Sequence, residues 1–197
     1  MPDVTADMMV SLDGYATGEG QSRERPFGDI DTDRLEAWRS GDNAEENAEE
    51  LGAITTAGAY IMGRNMFGPD RGEWDLDWHG WWGPNPPYHA PVFVLCHLPR
   101  PSVEMEGGTV FHFVTDGVEA AMELAREAAG EGNVSIAGGP STLNQYLAAG
   151  LVDELRLHVA PFVAGGGVRL FDGAAGLGMT PVHSRTTPHV THLVYRR

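Results

Sequence analysis

The chain has 197 residues, 42% of them hydrophobic, and a formal net charge of −15, which suits one domain with a real core and argues against a nucleic-acid surface. All 13 basic residues are arginine, so a lysine Schiff base and a lysine-dependent phosphate loop are both excluded. The single cysteine, Cys96, rules out an internal disulfide, and neither a signal peptide nor an apolar run of membrane-spanning length is present, so a cytoplasmic protein without membrane contact is expected.

Val4 to Leu12 reads as a strand that ends in the turn Ser11-Leu12-Asp13-Gly14. Gly18 to Asp33 is polar and glycine-rich, a mobile loop. Asn43-Ala44-Glu45-Glu46 has the spacing of a capping box, with a helix running on to about Ala57. Tyr60-Ile61-Met62 is a short buried strand leading into Gly63-Arg64-Asn65-Met66. Gly68 to Pro91 is a long insert rich in Trp, Pro and Gly, followed by strands at Val92–Leu95 and Val110–Val114. Asp116 with Glu119 can cap a helix over Val118–Ala129. A strand at Val134–Ala137 precedes a helix over Ser141–Ala149, stopped by Gly150. Glu154 to Val159 alternates strictly, as a half-exposed strand does, and Thr191–Tyr195 is a last strand. The alternation of strands and helices indicates one α/β domain over 1–197 with a largely parallel sheet, and the later strands an antiparallel edge.

Three strand ends carry residues suited to an anionic ligand, and open α/β sheets bind ligands beyond the carboxyl ends of their strands. At Gly138-Gly139-Pro140 a strand passes through two glycines into a helix start, where outward N–H groups and the helix dipole favour negative charge. Ser141 or Thr142 can cap that helix and offer a hydroxyl to a phosphate; a plain tight turn is the alternative. At Gly63-Arg64-Asn65-Met66, Arg64 suits a phosphate or is a surface arginine. Leu95-Cys96-His97 is the third. Gly173 to Gly178 lacks the strand–turn–helix entry of a dinucleotide fingerprint, and Gly165-Gly166-Gly167 reads as a strand connection.

Taken in order, Ser11-Leu12-Asp13-Gly14, Ile61 to Phe67, His89 to Leu95, Phe113 to Gly117, Ala137 to Pro140, Gly150 to Leu155, and Pro161-Phe162 with Leu170-Phe171 resemble the dihydrofolate reductase-like superfamily. Within it the chain is similar to stand-alone bacterial proteins like the reductase domain of riboflavin biosynthesis. The resemblance implies a mostly parallel sheet of about eight strands with flanking helices, and NADPH as hydride donor. It implies that Gly63, Arg64, Asn65 and Met66 lie beside the adenosine and its 2′-phosphate, that Leu95, Cys96 and His97 serve the same end, and that Gly138, Gly139, Pro140, Ser141 and Thr142 wrap the pyrophosphate. Two positions depart from the riboflavin reductases: Ala137 stands where they carry an acid, and Tyr15 where they tend to carry a base. Folate reductases place a carboxylate on the first helix, where Glu45, Glu46, Glu49 and Glu50 crowd here; a solvated face explains most of them.

Hydride chemistry leaves the protein to orient its cofactor, exclude water and deliver a proton. Asp13, at the end of the first strand, is the first candidate donor and Tyr15 the second; Asp13 before a glycine also suits a turn. Among the aromatics of the insert, Trp78, Trp81 and Trp82 suit a wall for a flat substrate, a cover for the core edge, or a subunit contact. The eight histidines show no recognised metal spacing, and His79, His89, His97 and His112 read as structural or loop residues. The expected activity is an NADPH-dependent reduction of a small heterocyclic (pterin- or aminopyrimidine-like) or conjugated substrate by a homodimer. The alternatives are a ligand-binding module without turnover, and the 5-amino-6-ribosylaminouracil reductase of riboflavin biosynthesis.

Overall fold

Apolar and β-branched runs bounded by glycine form the strands, and the alternation within them decides which face each residue serves. The computed structural model describes residues 3–197. Its elements, in chain order, are β1 (Val4–Ser11), β2 (Tyr15–Thr17), α1 (Thr32–Glu36), α2 (Asp42–Glu46), α3 (Ala48–Ile54), β3 (Ala59–Gly63), α4 (Arg64–Phe67), β4 (Pro91–Leu95), β5 (Val103–Glu104), β6 (Val110–Val114), α5 (Val118–Ala129), β7 (Val134–Gly138), α6 (Pro140–Ala148), β8 (Glu154–Ala160), β9 (Val168–Arg169), β10 (Thr180–Thr187) and β11 (Val190–Arg196).

Nine strands form one sheet in the order β10-β11-β8-β1-β7-β3-β4-β6-β5, and β2 pairs with β9 apart from it. The six strands from β8 to β6 are parallel, with β11 and β10 antiparallel at one edge and β5 antiparallel at the other. The mostly parallel sheet and its antiparallel C-terminal edge agree with the sequence reading.

Side chains of β1 divide between the two faces. Val4, Ala6, Met8 and Val10 join Ile136, Leu143, Tyr146 and Ala121 in the core beneath α5 and α6. On the opposite face Tyr60, Met62, Phe67, Tyr88 and Phe111 form a second core under the tryptophan-rich insert. Ile30, Leu35 and Phe162 form a third, against which Met9 packs.

Three helix starts differ from the sequence reading. No capping box forms at Asn43–Glu46: Gly41 is the N-cap of α2, and the helix breaks at Asn47 before α3 begins. Asn47 is buried, its side-chain amide drawn to the carbonyls of Trp38 and Asn43, and this pull inward replaces the local cap. At α5 the N-cap is Gly117, without a side-chain bond from Asp116. At α6 it is Gly139, and neither Ser141 nor Thr142 caps the helix. The end of α6 follows the sequence reading: Gly150 takes φ +65° and donates to the Leu147 carbonyl while Leu151 donates to that of Tyr146.

Candidate functional site

Parallel strands end on a common rim, so Ser11, Gly63, Leu95 and Gly138 finish side by side. β7 lies between β1 and β3, which sets the Gly138 bend between Asp13 and Arg64, with Leu95 to His97 one strand further along. Two of the expected segments touch directly. A Cβ on Gly63 would collide with the Thr142 hydroxyl and stand 4.0 Å from the Gly138 carbonyl oxygen. Thr142 is buried, and Gly63 must be bare to let it in.

The two central glycines are bare for different reasons. Gly138 has φ +124°, a conformation open to glycine alone, and a Cβ there would lie 3.3 Å from the Met66 sulfur. Gly139 has an ordinary φ of −74°, and a Cβ on it would meet no protein atom within 4 Å. Space, not crowding, lies over Gly139; the Gly138–Gly139 peptide itself is cis. The Gly139 carbonyl accepts from Thr142 at 3.1 Å and Leu143 at 3.0 Å, Pro140 brings no N–H, and no side chain caps the helix. The positive end of α6 therefore faces this open space with no carboxylate in its first turn and no side chain bonded across its N–H groups.

On the β3 and β4 side, Arg64 is partly engaged. It donates to the Gly72 carbonyl at 2.7 Å and lies 3.9 Å over the Trp74 ring, while its buried Nε has no hydrogen-bond partner. Asn65 and His97 are exposed beside it, and Met66 and Leu95 are half-buried. Cys96 is buried, its thiol donating to the Leu98 carbonyl; burial pushes that thiol up, away from nucleophilic use.

At the end of β1, Asp13 accepts from the Ser11 hydroxyl at 2.7 Å, the Ala164 amide at 2.9 Å and the Gly165 amide at 2.8 Å. The Ser11 bond first, then the amides, hold its carboxyl down to about 2. Asp13 is a fixed carboxylate at neutral pH that ties the β8–β9 loop to the turn after β1. Tyr15 pairs with Arg169 across the β2–β9 ribbon; its hydroxyl accepts from the guanidinium at 3.1 Å and its ring lies under it at 4.6 Å.

Core cover, one of the three uses open to the tryptophans of the insert, describes how two of them pack. Trp82 stacks on Phe111 of β6 and meets Tyr88 edge-on. Trp78 donates to the Phe67 carbonyl at 2.8 Å, and Trp81 stands edge-on to Trp78. β6 is four strands from β1, about 19 Å at the usual strand spacing. Arg100, 8% exposed, anchors the insert through the carbonyls of Asp75, Leu76 and Trp78. Arg23, from the loop after β2, bonds to Asp70 and Asp75 and covers the Trp78 ring. That loop is thereby strapped to the insert.

Residues 2–193 match the family model of the RibD C-terminal domain. The chain belongs to that family. The class that goes with it is oxidoreductase, of the riboflavin-biosynthesis type. A candidate riboflavin biosynthesis protein from Shewanella sp. PV-4 has the same fold at 22% identity and a TM-score of 0.67, over 99% of this chain and 98% of that one. A pyrimidine reductase-like protein from Corynebacterium diphtheriae follows at 16% and 0.59, over 99% and 91%. Dihydrofolate reductase from Enterococcus faecalis, complexed with NADP(H), matches at 16% and 0.56, over 99% and 96%. Curated proteins give no match.

The chain also holds a buried polar array that its sequence does not announce. Asp7 of β1, His158 of β8 and His192 of β11 are 8%, 2% and 2% exposed, on the face turned away from α5 and α6. Their signals were present but weak: a carboxylate inside an apolar strand, and a histidine on the polar beat of an alternating one, in step with Glu154 and Arg156. Of the crowded glutamates, Glu50 alone turns to this array: burial would raise its carboxyl, but the Arg185 guanidinium, bonded to both its oxygens at 2.8 and 2.9 Å, holds it below the usual range. Glu45, Glu46 and Glu49 are exposed. Among the described residues no cluster of His, Cys, Asp and Glu suits a metal ion, and no helix is long and apolar enough to cross a membrane.

Proposed function

We propose that the chain is an NADPH-dependent reductase acting on a small flat heterocyclic or conjugated substrate, as a homodimer. The observation that carries the reading is the open, uncapped bend at Gly139, set between the ends of β1 and β3. A pyrophosphate is the ligand such a bend suits: it needs backbone N–H donors, a helix dipole and no side chain in the way. The dihydrofolate reductase that shares the fold is a complex with NADP(H), and the rim here fits the same kind of molecule. With a net charge of −15, local donors must overcome the field of the whole protein.

In this reading Gly139 and the first turn of α6 hold the pyrophosphate, and Thr142, packed into bare Gly63, keeps the two cradling segments in register. Arg64, Asn65 and exposed His97 receive the adenosine end and its 2′-phosphate. NADPH, when bound, supplies the hydride. Asp13 takes no part as an acid, because its carboxyl stays ionised far below neutral pH; it fixes the loops that border the reaction space. The strap from Arg23 to Asp70 and Asp75 holds the β2–α1 loop against the insert and limits water entry.

Trp74 lies directly under Arg64, so tryptophan emission is a built-in reporter. Titration with NADPH is expected to quench it, with NADH at least about tenfold weaker, a difference of about 1.4 kcal/mol. Equal indifference to both nucleotides overturns the reading. The ionised Asp13 favours one rival, a binding module without turnover: it predicts the same quenching with no loss of the reduced nucleotide across a panel of pterins, aminopyrimidines and quinones.

A further inference from the structure

The buried array beneath β1, β8 and β11 satisfies every contact when one hydrogen lies in each gap, and the neutrality of His192 decides which ring carries the extra one. Asn47 fixes its far end. Its side-chain nitrogen donates to the carbonyls of Trp38 at 3.2 Å and Asn43 at 2.7 Å, so its oxygen is the atom that faces His192 Nε2 at 2.9 Å and the Thr187 hydroxyl at 3.1 Å. His192 Nε2 therefore carries hydrogen. Burial first, and then the neighbouring His158, push His192 down to about 4, so the ring is neutral and its Nδ1 is bare. That bare nitrogen lies 2.7 Å from His158 Nδ1, which must carry the hydrogen between them. The other nitrogen of His158, Nε2, faces Asp7 Oδ1 at 3.4 Å. A bare imidazole nitrogen opposite a bare carboxylate would be two buried acceptors with nothing between them.

The surroundings favour a proton there. The Arg156 guanidinium stands 3.2 Å from Asp7 Oδ2 and supports the carboxylate, and Trp38 stacks on His158 at 4.7 Å and supports an imidazolium. Arg156 is also near Glu154 at 3.5 Å; Glu50 and Arg185, with His183, border His192 from the other side. Asp7 Oδ2 is buried without a hydrogen-bond partner. Continuing the register of Ala6 with Ile136, Asp7 lies beside Ala137, one residue before the Gly138 bend.

We propose that Asp7 and His158 share a single proton at neutral pH and are the proton source of the reduction, with His192 and Asn47 as positioning residues that fix which nitrogen bears hydrogen. The role in reduction rests on the reductase reading; the shared proton does not. In the step, the substrate gains a hydride at one atom and the shared proton at its neighbour. The pair is left as an Asp7 carboxylate facing a neutral His158 and regains its proton from water.

Nitrogen-15 and carbon-13 NMR of the full chain at neutral pH counts the proton directly. Expected are hydrogen on His192 Nε2, hydrogen on His158 Nδ1, and one proton between His158 Nε2 and the Asp7 carboxyl. No proton in that gap, two protons, or hydrogen on His192 Nδ1 overturns the proposal. In Asp7→Asn, checked for folding by its amide spectrum, the shared proton is lost and His158 Nε2 becomes an unprotonated acceptor; a His158 spectrum unchanged from an imidazolium overturns it too. If this variant does not fold, the count on the unaltered protein decides by itself. NADPH added to the same sample tests the reductase reading separately: failure to bind with the one-proton pair intact sinks that reading and leaves the buried proton standing.

Discussion

Single residues decide most of the chemistry at the rim. Gly139 faces open space and Gly138 carries φ +124°, so the two should respond differently to substitution. Gly139→Val is expected to fold with little change in thermal midpoint and to weaken NADPH at least about tenfold, about 1.4 kcal/mol, read by calorimetric titration. Gly138→Ala is expected to lose about 1–3 kcal/mol of stability in urea unfolding. The pair was legible in the sequence as a bend between a strand and a helix, whereas the reason for each glycine was not, because φ and open space belong to the folded backbone. Asp13 was legible as a residue of the turn after β1, and its ionised state was not: the amides of Ala164 and Gly165 reach it from 151 and 152 residues away. His192 has a pH signature of its own. Its folded value of about 4 lies below the ordinary 6.5, so the unfolded chain binds the proton more readily. Its contribution is complete above pH 6.5 and fades as pH falls towards 4, by up to about 3 kcal/mol. Urea unfolding as a function of pH should show this loss, and His192→Gln should flatten it.

Elements were legible where hydrophobic period and glycine punctuation agree. β1, β3, β4, β6, β7 and α5 lie close to where the sequence puts them, because each is a buried run between clear stops. β10 is mostly exposed and was missed, since nothing in its composition marks a strand whose support comes from pairing with β11. The two-residue strands β5 and β9 were missed for the same reason. α2 and α3 read as one helix, and the break at Asn47 follows from that side chain's burial against Trp38 and β11, a long-range demand that local caps do not announce. The insert was legible as unusual but not as core. Trp82→Ala should cost about 2–3 kcal/mol, below a fully buried tryptophan because Trp82 is only half-buried, and leave nucleotide affinity unchanged. Trp81→Ala should cost under about 1 kcal/mol. Chemical denaturation beside nucleotide titration checks both.

At the scale of the whole molecule, the sheet gathers distant segments onto one edge. Residues 11–13, 63–66, 95–97 and 138–142 are spread over most of the chain and finish together because β1, β3, β4 and β7 are parallel and adjacent in the order β1-β7-β3-β4. The rule for open α/β sheets anticipates such a rim; the packing of Thr142 into Gly63 required the fold. The second face, with Asp7, His158 and His192 under Trp38, has no counterpart in sequence-local reasoning, since its members come from β1, β8 and β11. The protein as a whole is strongly anionic, so nucleotide affinity should depend on a few local donors and rise as added salt screens the repulsion. A crystal structure of the chain grown with NADPH tests the central claim most directly. The account predicts the pyrophosphate against the backbone of Gly139 and the first turn of α6, with the adenosine end beside Arg64 and His97. A nucleotide seated elsewhere, or protein side chains filling the space over Gly139, would contradict it.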